Sequence, residues 1–225
     1  PLDLALHAGH AAATDPPRDL RIAWSARLGG DHAIDADVLA VLQRSVDALR
    51  AAGWTVVDDD PAWPAGLGDD PLAPLQHAAL HALHGHHGED RRDDIDPALR
   101  AQIDAGAACT PLQRSALLAL RRRIDASLSR FFDRHDLLLC PTAPVTAWPI
   151  DQAWPCVIEG RRAGPRGHAA FTPLFNVCGV PACSVPAGTV RGLPVGLQIV
   201  APRFEDARVL QMAALLERLV AARTW

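Results

Sequence analysis

The six serines come first among the residues that could do chemistry, because covalent catalysis needs an activated nucleophile beside a proton carrier. They are Ser25, Ser45, Ser115, Ser127, Ser129 and Ser184. None lies in a G-x-S-x-G motif or in another glycine-rich turn. Most fall inside helix patterns, and Ser184 falls on a strand that its apolar neighbours predict to be buried. The sequence therefore predicts structural roles for these serines and no serine nucleophile.

The cysteines offer a second kind of nucleophile, but their spacing predicts inert thiols. The five are Cys109, Cys140, Cys156, Cys178 and Cys183. An odd number without a C-x-x-C pair argues against a disulfide framework and against a structural zinc site. Cys140 lies where a strand ends at a loop, but no positively charged partner for its thiol is evident in the sequence. Reduced, buried thiols are typical of a cytoplasmic protein.

A histidine-rich segment is the remaining cluster of chemical groups. His77, His81 and His84 are four and three residues apart, so they share one face of a predicted helix. The H-E-x-x-H motif of zinc enzymes is absent, and a charged turn follows the cluster. The pattern favours a solvated surface, and we expect no metal site and no cofactor. A metal-binding protein that uses the 77–87 segment remains an alternative.

Composition limits the classes of partner. The 225 residues carry a formal net charge of -4, and all 22 basic residues are arginine, since the chain contains no lysine. An acidic balance argues against nucleic acid and against an anionic membrane as partners. No run of about 18 apolar residues is present, so no transmembrane helix is expected. The chain starts at Pro1 without a signal-peptide pattern, which predicts a processed chain or a piece of a longer one.

The first elements that the sequence predicts form a βαβ unit over residues 19–60. A strand over Leu20–Trp24 precedes a helix that Asp35 can cap and that Gly53 ends. A second strand follows at Trp54–Asp58. A strand, a helix and a strand within about forty residues predict a parallel pair with a right-handed crossover.

Helix patterns dominate the rest of the chain, and strands follow them. Thr110, Pro111 and Gln113 predict the start of a long helix with a capping box. The other predicted elements are helices over 75–87, 97–105 and 169–177, a buried strand over 136–140, an irregular loop over 141–167, strands over 182–186 and 195–201, and a last helix from Glu205. This order predicts an α/β fold with helices flanking a mixed β-sheet.

The closing segment carries a family resemblance. Residues 171–188 read FTPLFNVCGVPACSVPAG, residues 192–201 read GLPVGLQIVA, and residues 136–144 read DLLLCPTAP. These segments resemble the C-terminal signature of the amidase-signature family, and the resemblance covers nearly the whole chain. It implies that residues 1–225 are the C-terminal part of a single amidase domain, with the C-terminal half of the amidase-signature fold.

The resemblance also implies where the chemistry lies. The family uses a Ser–cis-Ser–Lys triad, and its lysine, its glycine- and serine-rich segment and its oxyanion donors belong to the N-terminal half. This chain has no lysine and no such segment. We therefore expect no catalytic residue here, and we expect this chain alone to be inactive although its family hydrolyses C–N bonds.

The resemblance assigns a substrate pocket to two segments, one after the Pro-Thr pair and one before the Phe-Asn pair. The predicted substrate-binding residues are Pro141, Thr142, Trp148, Trp154, Phe171 and Asn176. The first five are predicted to form the pocket wall, and Asn176 is predicted to hold the pocket backbone.

Several functions fit this resemblance. The leading one is an amidase that converts a carboxylic amide to an acid and ammonia or an amine, acting on a small-molecule amide once an N-terminal half completes it. One alternative is the glutaminase-type subunit of a tRNA amidotransferase. Another is a non-catalytic fragment that acts as a binding module. A homo-oligomer stays open, and the exposed strand edges of an isolated half predict aggregation.

Overall fold

The structure is a computed structural model that describes residues 15–68, 70–86 and 93–221. Its main sheet has five strands and a separate hairpin has two. The strands are β1 (Ile22–Trp24), β2 (Val56–Asp58), β3 (Leu137–Pro141), β4 (Val157–Ile158), β5 (Arg161–Arg162), β6 (Ala182–Val190) and β7 (Leu193–Val200). The helices are α1 (Ala36–Ala51), α2 (Ala73–His84), α3 (Pro97–Ala107), α4 (Pro111–Phe132), α5 (Pro173–Cys178) and α6 (Asp206–Ala221), with a short 3-10 helix over Gly167–Ala169.

The five-stranded sheet is mixed, which confirms the predicted α/β class. Its order is β2-β1-β3-β7-β6. The strands β2 and β3 both run parallel to β1, whereas β7 runs antiparallel to β3 and to β6. Consecutive β1, α1 and β2 thus form a parallel unit at one side of the sheet. The hairpin of β4 and β5 lies within the long loop that follows β3.

Helices cover both faces of the central strands, as the alternation along β3 shows. Leu137 and Leu139 pack on one face in a core that includes buried residues of α1 and α6. Leu138 and Cys140 pack on the other face with buried residues of α4 and α5. Burial of each such aliphatic side chain contributes roughly 1.5–3 kcal/mol, so the three-layer arrangement is set by this period of two.

The helix ends agree with the sequence patterns at one place and differ at two. Thr110 and Gln113 form the predicted capping box of α4. Asp35 precedes α1 as predicted, but its carboxylate does not cap the helix, because it accepts a hydrogen bond from the Glu159 amide instead. The predicted helix over 169–177 is wrong at its start. Pro173 begins α5, since a residue that precedes proline is disfavoured in helical conformation.

Two arginines fix the end of α5, from which the chain turns into β6. The Arg121 guanidinium donates to the Val177 carbonyl at 2.8 Å. Arg203 donates to the Cys178 carbonyl at 2.8 Å. Positive groups at the carboxyl end of a helix satisfy its free carbonyls and its dipole. Gly179 then adopts the left-handed conformation, with φ 63°, that ends a helix.

The pair α2 and α3 stands apart from both cores. A methyl group placed on Gly106 would lie only 2.0 Å from the His77 carbonyl oxygen, so the two helices approach closely at this glycine. No α2 side chain is fully buried, and Leu83 of α2 and Leu99 of α3 are exposed. Within the described ranges, no helix combines the length and the apolar character that crossing a bilayer requires.

Candidate functional site

The predicted pocket segments meet at the carboxyl end of the parallel strands. The carboxyl ends of β1 and β3 lie side by side, because these strands are parallel. The chain leaves β1 towards β2 on one side and returns to β3 on the other. Such a switch in direction leaves a crevice beyond the strand ends, where α/β proteins bind ligands. The loop after β1 and the loop after β3 surround this crevice.

Gln198 joins two of the predicted pocket residues, although none of the motifs in the sequence points to it. Its buried side-chain amide donates to the Phe171 carbonyl at 3.0 Å and to the Pro141 carbonyl at 3.4 Å. It also donates to the Cys140 sulfur at 3.2 Å. A buried amide must find partners, so this one side chain fixes the end of β3 against the segment before α5. The signal in the sequence was a single polar residue inside an apolar strand.

Thr142 forms a hydroxyl pair with Ser184. Their oxygens are 2.7 Å apart, and the Thr142 amide donates to the Gly196 carbonyl at 3.1 Å. A methyl group on Gly196 would lie 2.5 Å from the Ser184 oxygen and 3.0 Å from the Thr142 oxygen. The glycine is therefore what allows the two hydroxyls to meet across β7.

Ser184 is exposed, which corrects the prediction that it lies on a buried strand. The reason is its position on the edge strand β6. Val185 and Ala187 point into the core with α1 and α6. Ala182, Ser184 and Pro186 lie on the opposite face and are exposed. We call these three residues the open face of β6, and it adjoins a cavity of about 310 Å³ that Thr142 and Ser184 line.

Phe171 is fully buried, and its ring lies 5.5 Å from the ring of His32. His32 comes from the loop after β1, and it borders two cavities of about 220 and 350 Å³. Arg161 and Arg162 line the smaller cavity, and Trp63 lines the larger one. His32 is thus a second residue at this end of the strands to which no sequence motif points.

The two predicted tryptophans lie farther along the loop after β3. Trp148 donates its indole N–H to the Gln152 carbonyl at 2.9 Å, and its ring is 4.9 Å from that of His168. Trp154 is half-buried, and its carbonyl accepts a weak hydrogen bond from the Cys156 thiol at 3.8 Å. Across the described ranges, no hydrogen bond ties either indole to Gln198, so these two residues form a separate stretch of wall.

Asn176 is exposed on α5. Within the described part of the chain its side-chain amide makes no hydrogen bond to the pocket backbone, whereas Gln198 makes two. The predicted holding role of Asn176 therefore stays a prediction, and it is Gln198 whose side chain bonds to the backbone of two predicted pocket residues.

Three of the five thiols are poor nucleophiles. Burial raises the pKa of Cys140 to about 12, although the hydrogen bond from Gln198 partly offsets that effect. Burial also raises the pKa of Cys178 and of Cys183 to about 11. Because the thiolate is the reactive form, these three thiols are protonated and inert near neutral pH.

A serine and a histidine near the ends of β1 and α4 do not form a catalytic arrangement. The Ser25 hydroxyl donates to Asp60. His135 pairs with Asp59 at 2.7 Å, and together with Arg134 it lowers the pKa of that carboxyl. Ser25 and His135 therefore bind different carboxylates, whereas a triad needs the histidine to contact the serine.

The histidine segment shows no metal site within the described residues. His77, His81 and His84 lie on α2 as predicted, and His87 falls outside the described residues. No group of three or more histidine, cysteine or carboxylate side chains converges where the structure describes the chain. The metal-binding alternative thus gains no geometric support from residues 15–68, 70–86 and 93–221.

Known proteins resemble nearly all of this chain. A model of the Amidase family matches residues 7–210. The acylamidase of Rhodococcus erythropolis is 31% identical over 215 residues, which are 92% of this chain and 43% of that protein. A glutamyl-tRNA(Gln) amidotransferase subunit from Symbiobacterium thermophilum is 37% identical over 94 residues, which are 42% of this chain and 18% of that protein.

A solved structure also matches nearly the whole chain. A bacterial aryl acylamidase that belongs to the amidase signature enzymes aligns with a TM-score of 0.77 and 27% identity. The alignment covers 97% of this chain and 46% of that one. The chain therefore spans less than half the length of each of these relatives.

Proposed function

This chain belongs to the amidase family, and we propose that it forms the substrate-pocket part of an enzyme that hydrolyses carboxylic amides to an acid and ammonia or an amine. In this proposal residues 1–225 are the C-terminal part of one amidase domain. The part that carries the Ser–cis-Ser–Lys triad lies outside these residues, which contain no lysine.

The observation that carries the proposal is the hydrogen-bonded unit around Gln198. Two residues that the family resemblance assigns to the pocket wall, Pro141 and Phe171, are both held by its amide. Thr142 follows directly and reaches the open face of β6 through Ser184. An organised wall beside an uncovered strand face is what a pocket needs when its other wall comes from a second segment.

The side chains present suggest which part of the enzyme performs which step. Acylation of a serine and hydrolysis by water would occur on the part of the enzyme outside this chain. The residues of this chain would hold the amide in place and exclude water with apolar groups such as Phe171 and Trp148. The raised pKa of Cys140 supports a structural role for the one thiol that lies at the site.

A second candidate function is the glutaminase-type subunit of a tRNA amidotransferase. The amidotransferase relative is more identical over the residues it matches, but it matches 42% of this chain, whereas the acylamidase matches 92%. The acylamidase thus matches more of this chain, which supports an amidase. Turnover of free glutamine in preference to acyl amides would favour the amidotransferase instead.

The direct test is an amidase assay with two samples. This chain alone should release no ammonia or amine from acetamide, benzamide or acetanilide above the buffer rate. A hybrid joins the unmatched part of the Rhodococcus erythropolis acylamidase to this chain, and it should turn these amides over. The matched control is the same hybrid with its signature lysine replaced by alanine. Turnover by this chain alone, or a folded hybrid as inactive as its control, would contradict the proposal.

We also infer a cytoplasmic location. All five cysteines are free, including the exposed Cys156. Free thiols persist in reducing compartments, whereas exposed pairs oxidise outside the cell. Fractionation of the source cells tests this inference, which a secreted or membrane-bound enzyme would contradict.

A further inference from the structure

We propose that Glu159 is a positioning residue of the amide pocket, acting through the loop after β1 on His32 and Phe171. The inference rests on the proposed function. Glu159 lies at the tip of the β4–β5 hairpin, and neither the family segments nor the sequence patterns point to it.

The backbone of Glu159 gives the first reason. Its φ is 54° and that of Gly160 is 71°. Two consecutive residues with positive φ form the two-residue loop that joins the strands of a hairpin. Asparagine or glycine normally occupies the first position of such a loop. A glutamate is disfavoured there, because its Cβ crowds the backbone. A disfavoured residue that persists points to a function for its side chain.

The Glu159 side chain connects the hairpin to other segments through several hydrogen bonds. Its carboxylate forms a two-oxygen pair with Arg27, one arm of which is 2.9 Å long. It also accepts from the Ile34 amide at 3.4 Å and from Arg161 at 3.4 Å. The Glu159 amide donates to the Asp35 carboxylate at 2.7 Å. Glu159 therefore joins the hairpin to residues more than a hundred positions earlier in the chain.

The contacts converge on the segment that presents His32. Arg27, which Glu159 holds, also donates to the His32 carbonyl at 2.6 Å. Arg161 donates to the Asp31 carbonyl at 2.8 Å and to its carboxylate at 2.8 Å. Residues 31 and 32 are thus fixed from two sides by arginines that share one carboxylate. A bidentate arginine pair sets orientation as well as distance.

His32 connects the fixed loop to the predicted pocket wall through its contact with Phe171. Its ring lies 5.5 Å from that of Phe171, whose carbonyl Gln198 holds together with that of Pro141. The Asp35 amide donates to the Pro144 carbonyl at 2.9 Å, which fixes the loop after β3 to the same segment. Loss of the Glu159 charge should therefore loosen the wall without removing any group that touches the substrate.

A matched ion pair separates positioning from stability. Asp136 forms a two-oxygen pair with Arg21 at 2.9 and 3.0 Å, at the opposite end of β1 and β3. The variants to compare are Glu159→Gln, Glu159→Gly and Asp136→Asn in the active hybrid. Glu159→Gln and Glu159→Gly should each lower kcat/KM about tenfold, mainly by raising KM, because a loosened wall binds the amide poorly. Asp136→Asn should change kcat and KM by less than about twofold.

Hydrogen exchange on this chain alone gives a second readout that needs no turnover. Glu159→Gln should speed exchange of the Ile34 and Asp35 amides about tenfold, and Asp136→Asn should leave them unchanged. Equal kinetics for Glu159→Gln and Asp136→Asn, or unchanged exchange at Ile34 and Asp35, would overturn the proposal. A Glu159→Gly variant that behaves as wild type would also overturn it. An inactive wild-type hybrid would count against the proposed function, and the exchange result would still decide the role of Glu159 in the loop.

Discussion

The strands β3 and β6 both neighbour β7, but their surroundings differ. All five residues of β3 are buried, because helices cover both of its faces. In β6 the residues alternate, with Val185 and Ala187 buried and the open face exposed. The edge of β6 also lacks a neighbouring strand within the described residues. A half-covered edge strand is a surface that natural proteins normally pair or cover. Within the described residues, helices thus cover both faces of β3 but only one face of β6, and we propose that the rest of the amidase domain packs on the open face of β6.

The largest effect on stability is expected at β3, which helices cover on both faces. Leu139 is fully buried at the centre of β3. Leu139→Ala should lower the free energy of unfolding by about 2–5 kcal/mol, because it removes apolar contacts and leaves a cavity. Urea unfolding followed by circular dichroism measures this change. A loss below about 1 kcal/mol would mean that β3 is not the packed strand described here.

A smaller loss of stability is expected at β7, which lies between β3 and β6. In Gly196→Ala the new methyl group would lie 2.5 Å from the Ser184 oxygen. The variant should lose about 1–3 kcal/mol of stability, since the hydroxyls must move apart. Adding Ser184→Ala removes the closest atom and should restore part of the loss. Equal stability of the single and the double variant would rule out this contact as the cause.

Acid should lower the stability of the fold. Hydrogen bonds from arginine or histidine lower the pKa of Asp59 and of Asp136, and Arg27 lowers that of Glu159 to about 2 from an ordinary 4.5. A lowered carboxylate pKa stabilises the fold above the unfolded-state pKa, and this contribution is lost as pH falls through the folded value. The urea midpoint should therefore fall between about pH 5 and pH 2.

A control variant sharpens this acid prediction. In Asp136→Asn one of the three carboxylates no longer titrates, so the midpoint should fall less between pH 5 and pH 2 than in the unchanged chain. Stability that rises towards pH 3 would contradict the sign of all three shifts.

The smallest effect is expected on the open face of β6. Ser184→Ala should change the free energy of unfolding by no more than about 0.5 kcal/mol, because the side chain is exposed and Thr142 can bond to water instead. Differential unfolding of the variant and the unchanged chain in the same buffer measures this. A loss above about 1 kcal/mol would show that the face is already covered, for example by a second copy of the chain.

Local patterns were enough to predict most of the elements. Spacing of three and four residues marks α1, and Thr110 with Gln113 marks the start of α4, since these signals act within one turn. The run over 136–140 predicts β3 because a strand covered on both faces is apolar throughout. The predicted helix over 169–177 is too long, because Pro173 disfavours helical conformation in the residue before it.

The site was less predictable, because its residues meet through the fold. The family segments lead to Pro141, Thr142 and Phe171, but only the register of β3 with β7 brings Gln198 between them. Ser184 was predicted to be buried, since an alternating apolar strand does not reveal that one of its faces lacks a covering layer. Glu159 gives no sequence signal, because its importance depends on a backbone conformation and on arginines far away in the chain.

Hydrogen exchange of β6 tests whether the rest of the amidase domain packs on this strand. We predict that a peptide spanning Ala182–Val190 exchanges much faster than one spanning Leu137–Pro141 in this chain alone. In the active hybrid the exchange of Ala182–Val190 should slow at least about tenfold, because the added segment covers the open face and the free edge. The exchange of Leu137–Pro141 should stay nearly unchanged. Equal exchange of Ala182–Val190 in both samples would contradict the claim that β6 is where the rest of the amidase domain packs.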